Sequence, residues 1–212
     1  MASSPRVVAA SSPSSMSAES GTLALSPFRH PGEAFAAVQL GLHVACRAAR
    51  DPEELSLHHE IRRRVFVEEQ AVFDGCDEDH HDDDAATVRI LGLCGDVAGG
   101  AVRCYPLTEM LTGIPTGGGA AGVVEPGAGL WKGDRLAVLP SFRRNGLGAP
   151  LVRFAVRTAA EAGGRQMIAH IQPSNVGFFE HLGWYTVGGP VSYVGRPHQT
   201  MAIDLALILR RL

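Results

Sequence analysis

The residues best suited to chemistry lie together in Leu136-Ala137-Val138-Leu139-Pro140-Ser141-Phe142-Arg143-Arg144-Asn145-Gly146-Leu147-Gly148, followed by Ala149-Pro150. The apolar start reads as a strand and the residues after Ala149 as a helix, which leaves the glycines on the turn between them. Such a turn aims several backbone N–H groups at one point, and the positive end of the helix dipole adds to them, making an anion site. Glycine suits it because a Cβ would hold a pyrophosphate away from the backbone. Arg143 and Arg144 add mobile positive charge. The plainer reading is a strand-to-helix turn with glycine at positive φ. Two nucleotide motifs are excluded: a Walker loop needs Gly-Lys-Ser/Thr where Ala149-Pro150 follows Gly148, and a dinucleotide fingerprint needs a third glycine where Leu151 stands.

A second run, Asp77-Glu78-Asp79-His80-His81-Asp82-Asp83-Asp84, invites a metal, yet it lacks the spacing of a calcium loop or a His-based zinc site. It reads as a solvated acidic loop, with no metal expected. Cys46, Cys76, Cys94 and Cys104 form no CxxC, so neither a zinc site nor a disulfide framework is indicated, and reduced thiols in a cytoplasmic protein are the default.

The elements that position these residues follow from periodicity. Val38, Leu40, Leu42, Val44 and Cys46 alternate as a first strand. Asp51-Pro52-Glu53-Glu54 starts a helix, with Asp51 as cap, Pro52 in the first helical position and Glu54 as the capping-box acid. That helix runs through Leu55, His58, Ile61 and Val65 towards Glu69. Strands follow at 87–94 and 97–105, joined by Gly95-Asp96 as a hairpin, and a fourth at 134–139 runs into the glycine loop. A helix over 149–162 carries Arg153, Arg157 and Glu161 on one face and Val152, Ala155, Val156 and Ala159 on another, and Gly163-Gly164 stops it. A strand at 166–172, a short helix at 175–182 and strands at 185–187 and about 200–206 complete the order β-α-β-β-β-α-β-α-β-β. This is an α/β or α+β fold with helices on both faces of one sheet. The Gly-rich stretch 112–129 shows too little pattern to assign.

The 212 residues suit one domain with a tail, 34–212 preceded by a Ser/Ala/Pro-rich segment 1–33. That segment reads as a disordered tail, with a transit peptide as the alternative. Hydrophobic residues at 45% and charged residues at 19% provide for a buried core. A formal net charge of -3 argues against a nucleic-acid partner, and no apolar run is long enough for a membrane helix. Lys132 is the only lysine among 19 basic residues.

The glycine loop resembles the acyl-CoA pyrophosphate loop R/Q-x-x-G-x-G/A of the GNAT N-acetyltransferase superfamily, here Arg143-x-x-Gly146-x-Gly148. The preceding Leu-x-Val-x-Pro matches too, as do Asn175 and Phe178-Phe179-Glu180-His181-Leu182-Gly183-Trp184, which resemble the family's N…FYEKLGF segment. Ile61-Arg62-Arg63-Arg64-Val65-Phe66-Val67-Glu68-Glu69-Gln70 resembles the R-x-VF-x-x-EQ start of one branch. Segments 131–138, 169–184 and 195–198 are similar to the nitrogen-starvation N-acetyltransferase subfamily. The resemblance implies a mixed, mostly antiparallel sheet and acetyl transfer from acetyl-CoA to a primary amine of a small molecule. It further implies a CoA cradle from Arg143 through Arg144, Asn145, Gly146, Leu147 and Gly148 to Ala149, and pantetheine contacts from Leu136 to Val138. Val138 N–H becomes the oxyanion donor, and Asn175 a contact near the thiol.

Two departures matter. Phe179 stands where many members carry the Tyr that protonates the leaving thiolate, so another group serves or the thiolate leaves unassisted. Pro150 removes a hydrogen bond if the helix begins at Gly146, so the helix is expected to start late. A general base is sought among Glu68, Glu69, Asp134, His170 and His198, with Asp134 alternatively a salt-bridge partner of Arg135 or Lys132, and His170 alternatively a core histidine. The acidic run resembles an acid-rich acceptor entrance, which would fit a cationic acceptor. Two other readings stay open: an acyl-homoserine-lactone synthase-like enzyme, from which the intact CoA loop would distinguish this chain, and a non-catalytic acyl-CoA-binding regulator. A homodimer is left open.

Overall fold

The central strands are buried almost continuously, so the sheet is packed on both faces, and the helices divide between those faces. The computed structural model describes residues 43–109 and 123–206. The tail 1–33, the start of the expected first strand and much of the Gly-rich stretch lie outside them. The order is β1 (Val44–Ala48), α1 (Pro52–Arg63), β2 (Val88–Cys94), β3 (Val97–Pro106), β4 (Leu130–Val138), α2 (Gly148–Glu161), β5 (Gln166–Ile171), α3 (Val176–His181), β6 (Tyr185–Tyr193) and β7 (Arg196–Asp204). They form a seven-stranded sheet in the order β1-β2-β3-β4-β5-β7-β6, antiparallel throughout except for the parallel pair β4–β5. The mixed sheet with helices on both faces is as expected.

On one face α2 buries Leu151, Val152, Ala155, Val156 and Ala159 against Ile90, Val102, Trp131 and Met167. On the other, Ile61 of α1 and Val65 and Phe66 just beyond it pack against Leu91, Leu93, Ala101 and Ala137. Arg157 bonds Glu161 at 2.7 Å on the exposed side of α2. The helix ends in a Schellman motif, with Gly164 N–H to Ala159 O at 2.8 Å and Gly163 at φ +84. Asp51 caps α1 through Glu54 N–H at 2.9 Å, while Glu54 reaches back to Arg50 N–H rather than to the cap residue itself. Past Arg63 the helix widens into a π turn, Arg64–Glu69, closed by Gln70 N–H to Val65 O at 2.9 Å. Among the described residues no helix is long and apolar enough to cross a membrane.

Three elements differ from their expected bounds. β4 begins at Leu130, not 134, because Lys132 and Gly133 interrupt its apolar pattern although both are buried. β6 continues past Val187 through Gly188-Gly189-Pro190, where a bulge absorbs residues that read as a turn. The real turn is Val194-Gly195, both at positive φ as a two-residue hairpin requires. β7 therefore begins at Arg196 rather than about 200, and His198 lies on it.

Candidate active site

The sheet opens in its middle. β4 and β5 pair only at Leu130↔Gln166, Trp131↔Met167 and Lys132↔Ile168, and then diverge while each strand continues. The resulting cleft encloses about 880 Å³, its open mouth included, and passes between the two faces of the sheet. Val152, Ala155, Met167, Phe179 and Trp184 line the α2 side, and Phe66, Phe73, His170, Tyr193 and His198 the other. Opposite the opening, β4 carries one extra residue: Arg103 faces Asp134 but Ala101 faces Ala137. This bulge puts Arg135 at φ +53 and leaves Val102 without a partner in β4. The Val102 carbonyl is satisfied instead by His58 Nε2 from α1 at 3.1 Å.

Beyond the bulge, strand alternation decides which backbone groups face the cleft. Leu139 N–H donates to Gly99 O at 2.9 Å across the β3 edge. The N–H groups of Val138 and Leu136 therefore point to the opposite edge, into the opening. The chain then makes a 3-10 turn over Pro140–Asn145 and reaches Gly146 at φ +72. Phe142 locks this turn down, its ring lying where a Cβ on Gly99 would sit, 2.2 Å away. Leu147 is wholly buried, packed with Cys94 and Phe142, and anchors the end of the turn.

Helix α2 begins at Gly148, two residues later than a start at Gly146. Pro150 thus falls in the first turn, where its N–H would have no partner, and the first helical bond, Leu151 N–H to Leu147 O at 3.2 Å, is unaffected. A Cβ on Gly146 would meet no protein atom within 4 Å, which leaves that space to an incoming group. The cradle for an anion is thus exposed backbone at Gly146, first-turn N–H groups at Gly148 and Ala149, and the exposed Arg144. Arg143 is engaged, with Nε to Val138 O at 3.1 Å and Nη2 to Glu69 at 2.5 Å. Asn145 turns inward to Cys94 Sγ at 3.1 Å. Asn175 is exposed at the cleft rim, and Phe179 is buried with its ring against Trp184 at 5.3 Å.

The proton-handling candidates separate clearly. Glu68 bonds Arg63 at 2.7 Å on the surface, and Glu69 is tied to Arg143; neither lines the cleft. Asp134 lines it but is paired, though not with Arg135 or Lys132 as the sequence suggested. Oδ1 accepts from Arg103 Nε at 2.7 Å, and Oδ2 from Arg103 Nη2 at 3.0 Å and Tyr105 OH at 3.2 Å. Burial pushes its carboxyl up, and Arg103 more than offsets this, holding it below the usual range. His170 sits beside Thr200 Oγ1 at 3.2 Å, and burial with Lys132 nearby lowers its pKa to about 4. His198 has Nδ1 3.0 Å from Arg196 O. A carbonyl can only accept, so Nδ1 carries the proton and the neutral ring keeps a lone pair on Nε2.

The acidic run is not a solvated loop. Arg62 bonds Asp77 at 2.8 Å and Asp82 at 2.5 Å; Arg103 bonds Asp79 and Asp82, each at 2.7 Å; Arg135 bonds Asp79 at 3.0 Å. All three guanidiniums are buried, because α1, β3 and the β4 bulge supply them from beneath the loop. The run was read as free charge because its partners lie far away in sequence. Among the described residues no group of three or more His, Cys, Asp or Glu could hold a metal. Three lining residues were missed: Lys132, Arg135 and Tyr193. A buried lysine beside Gly133 gives no periodic signal. Tyr193 became visible only with the extended β6.

Comparison with known proteins agrees with this geometry. A family profile described as Acetyltransferase (GNAT) domain matches residues 118–205. The chain is 30% identical over 149 residues to "Putative acetyltransferase BSU40680" of Bacillus subtilis (strain 168), covering 70% of this chain and 88% of that protein. Among solved structures, apo TofI aligns with TM-score 0.58 and 25% identity over 77% of this chain and 91% of its own. BjaI, a CoA-dependent acyl-homoserine lactone synthase solved with SAM and isopentyl-CoA, aligns with TM-score 0.59 and 22% identity over 81% and 89%. With its sheet opening, glycine loop and sequence relative in agreement, the chain belongs to the GNAT acetyltransferase family.

Proposed function

We propose that this protein moves an acetyl group from acetyl-CoA to a primary amine of a small molecule, by direct attack in a ternary complex. The observation that carries this reading is the alignment of two features. The β4–β5 opening, with Val138 N–H facing into it, leads directly to the open Gly146 and the α2 N-terminus. A pyrophosphate fits over Gly146 against the first-turn N–H groups of Gly148 and Ala149, with Arg144 beside them, and Arg143 joins once it leaves Glu69. A pantetheine arm then runs along Leu136–Val138, with Asn175 at the rim near the thiol. The reaction forms an N–C bond and breaks the C–S bond, and Val138 N–H donates to the oxygen that gathers charge.

The amine must lose a proton, and His198 is the best placed lining group to take it, through Nε2. His170 is a poor base, because a group with a pKa near 4 holds a proton too weakly. Phe179 offers no hydroxyl, so the CoA thiolate leaves without a proton from that position. We place the enzyme in the cytoplasm and, on segments 131–138, 169–184 and 195–198, nearest the nitrogen-starvation subfamily.

A second reading is an acyl-homoserine-lactone synthase-like activity, favoured by the likeness to BjaI. BjaI is CoA-dependent, so an intact CoA loop does not separate the two readings. Calorimetric titration with acetyl-CoA, followed by thiol release with an amine panel and separately with SAM, does. Acetyl-CoA binding with release on an amine supports the main reading. Release only with SAM favours the second. Binding without release on either favours a regulator, and absent binding overturns the main reading.

A further inference from the structure

Lys132, the only lysine of the chain, is buried at the inner end of the cleft, where β4 makes its last pair with β5. Its exposure is 5%, and it lines the cleft beside Asp134, His170 and Tyr193. The Nζ lies 5.0 Å above the Tyr193 ring, an attraction for a cation but no acceptor for its three N–H donors. Among the described residues no carboxylate stands within ion-pair distance of it. Asp134, next but one along β4, has both oxygens bonded to Arg103. The other lining cation, Arg135, is spent on Asp77 and Asp79. A buried ammonium whose donors face a cavity is costly unless a ligand completes it.

We propose that Lys132 binds a carboxylate of the acceptor, so that the amine acetylated here belongs to an amino acid. Extending the proposed acyl transfer, this assigns the acceptor's charge: an anionic group at the inner end and the amine towards Val138. The acids of segment 77–84, which suggested a cationic acceptor, do not oppose it, because Asp77, Asp79 and Asp82 are neutralised by arginines. Tyr193 and His170 flank the ammonium and leave space for an apolar or aromatic side chain.

The test compares matched pairs, each an amino acid and the amine lacking its carboxylate, such as phenylalanine with phenethylamine and leucine with isopentylamine. Acetyl-CoA binding is measured first, since its absence would mark failure of the acyltransferase reading. With CoA bound, calorimetry should show at least one amino acid binding roughly 10- to 100-fold tighter than its amine, the worth of one charge-assisted hydrogen bond. Lys132→Met should abolish that preference while leaving amine and acetyl-CoA affinity unchanged, and Lys132→Arg should restore part of it. If Lys132 only balances Asp134, Lys132→Met lowers the melting temperature and leaves the preference intact, which overturns the proposal. Equal affinity within every pair, or no binding by any amino acid, overturns it as well. Should Lys132→Met fail to fold, the wild-type pair comparison and Lys132→Arg decide alone.

Discussion

At the glycine-loop end of the cleft the chain offers backbone N–H groups, an exposed Arg144 and open space over Gly146. At the other end it buries Arg62, Arg103 and Arg135 among Asp77, Asp79, Asp82 and Asp134. The first end uses partial charges from local backbone geometry, which cost little to fold and wait for a ligand. The second uses full charges brought from distant parts of the chain, each needing the others to tolerate burial. The former should be dispensable for folding, and the latter should matter chiefly for folding. Four measurements test that division.

Arg103→Met should have the largest effect. It leaves Asp79, Asp82 and Asp134 without the guanidinium they share, and breaking a buried pair costs about 3–5 kcal/mol. Urea denaturation should show the loss directly. A change of under about 1 kcal/mol would mean the network is not structural, and the contrast would fall.

The same end should make the fold acid-sensitive. Burial, with Arg62 nearby, lowers His58 to about 3, and His170 lies near 4, against about 6.5 in the unfolded chain. Between these values the unfolded chain holds protons that the folded one does not. Stability is therefore complete above about pH 6.5 and falls as pH drops towards 3, by on the order of 4 kcal/mol for His58. From about pH 4 downwards, Asp79, Asp82 and Asp134 add to the loss; burial pushes them up, but the bonded arginines hold them low. His58→Gln keeps a donor for Val102 O and should flatten the slope of the urea midpoint between pH 6.5 and 3. An unchanged slope would show that His58 is not the titrating group.

At the loop end, Gly146→Glu should leave the fold nearly intact, because its Cβ meets no protein atom within 4 Å and φ +72 costs a side chain only about 1–2 kcal/mol. Acetyl-CoA affinity should fall by roughly 100-fold or more, as a carboxylate takes the place of the pyrophosphate. Unaltered affinity would move the cofactor elsewhere.

The same division explains what the sequence revealed. The glycine loop, the α1 cap and the α2 stop are contiguous, so residue type and spacing suffice to find them. Nearly all strands were visible for the same reason, since alternation is local. Lys132 and the Arg103–Asp134 pair were not, because Tyr193 lies 61 residues beyond Lys132 and Asp134 lies 31 beyond Arg103, and they join only through sheet register and the β4 bulge. His198 was found by type but lay outside the last strand expected at about 200–206, because Gly195-Arg196-Pro197 breaks the alternation that β7 continues through. Asp134 was found by type and given the wrong partner, because neighbours in sequence are not neighbours across a sheet.

The smallest expected effect is at Pro150, and it tests the loop geometry most closely. In the interior of a helix begun at Gly146, proline would cost about 3 kcal/mol, and Pro150→Ala would recover much of it. With α2 starting at Gly148, Pro150 occupies the first turn and breaks no hydrogen bond. Replacement then loses only the entropy that proline removes from the unfolded chain, about 0.4–1 kcal/mol, so Pro150→Ala should be neutral or slightly destabilising. It also adds one N–H to the ring of donors around Gly146, so acetyl-CoA affinity should hold or rise modestly. A stabilisation near 3 kcal/mol by urea denaturation would put the helix start back at Gly146. The cradle would then lose its free first-turn donor at Ala149, and with it part of the reason its backbone can hold a pyrophosphate.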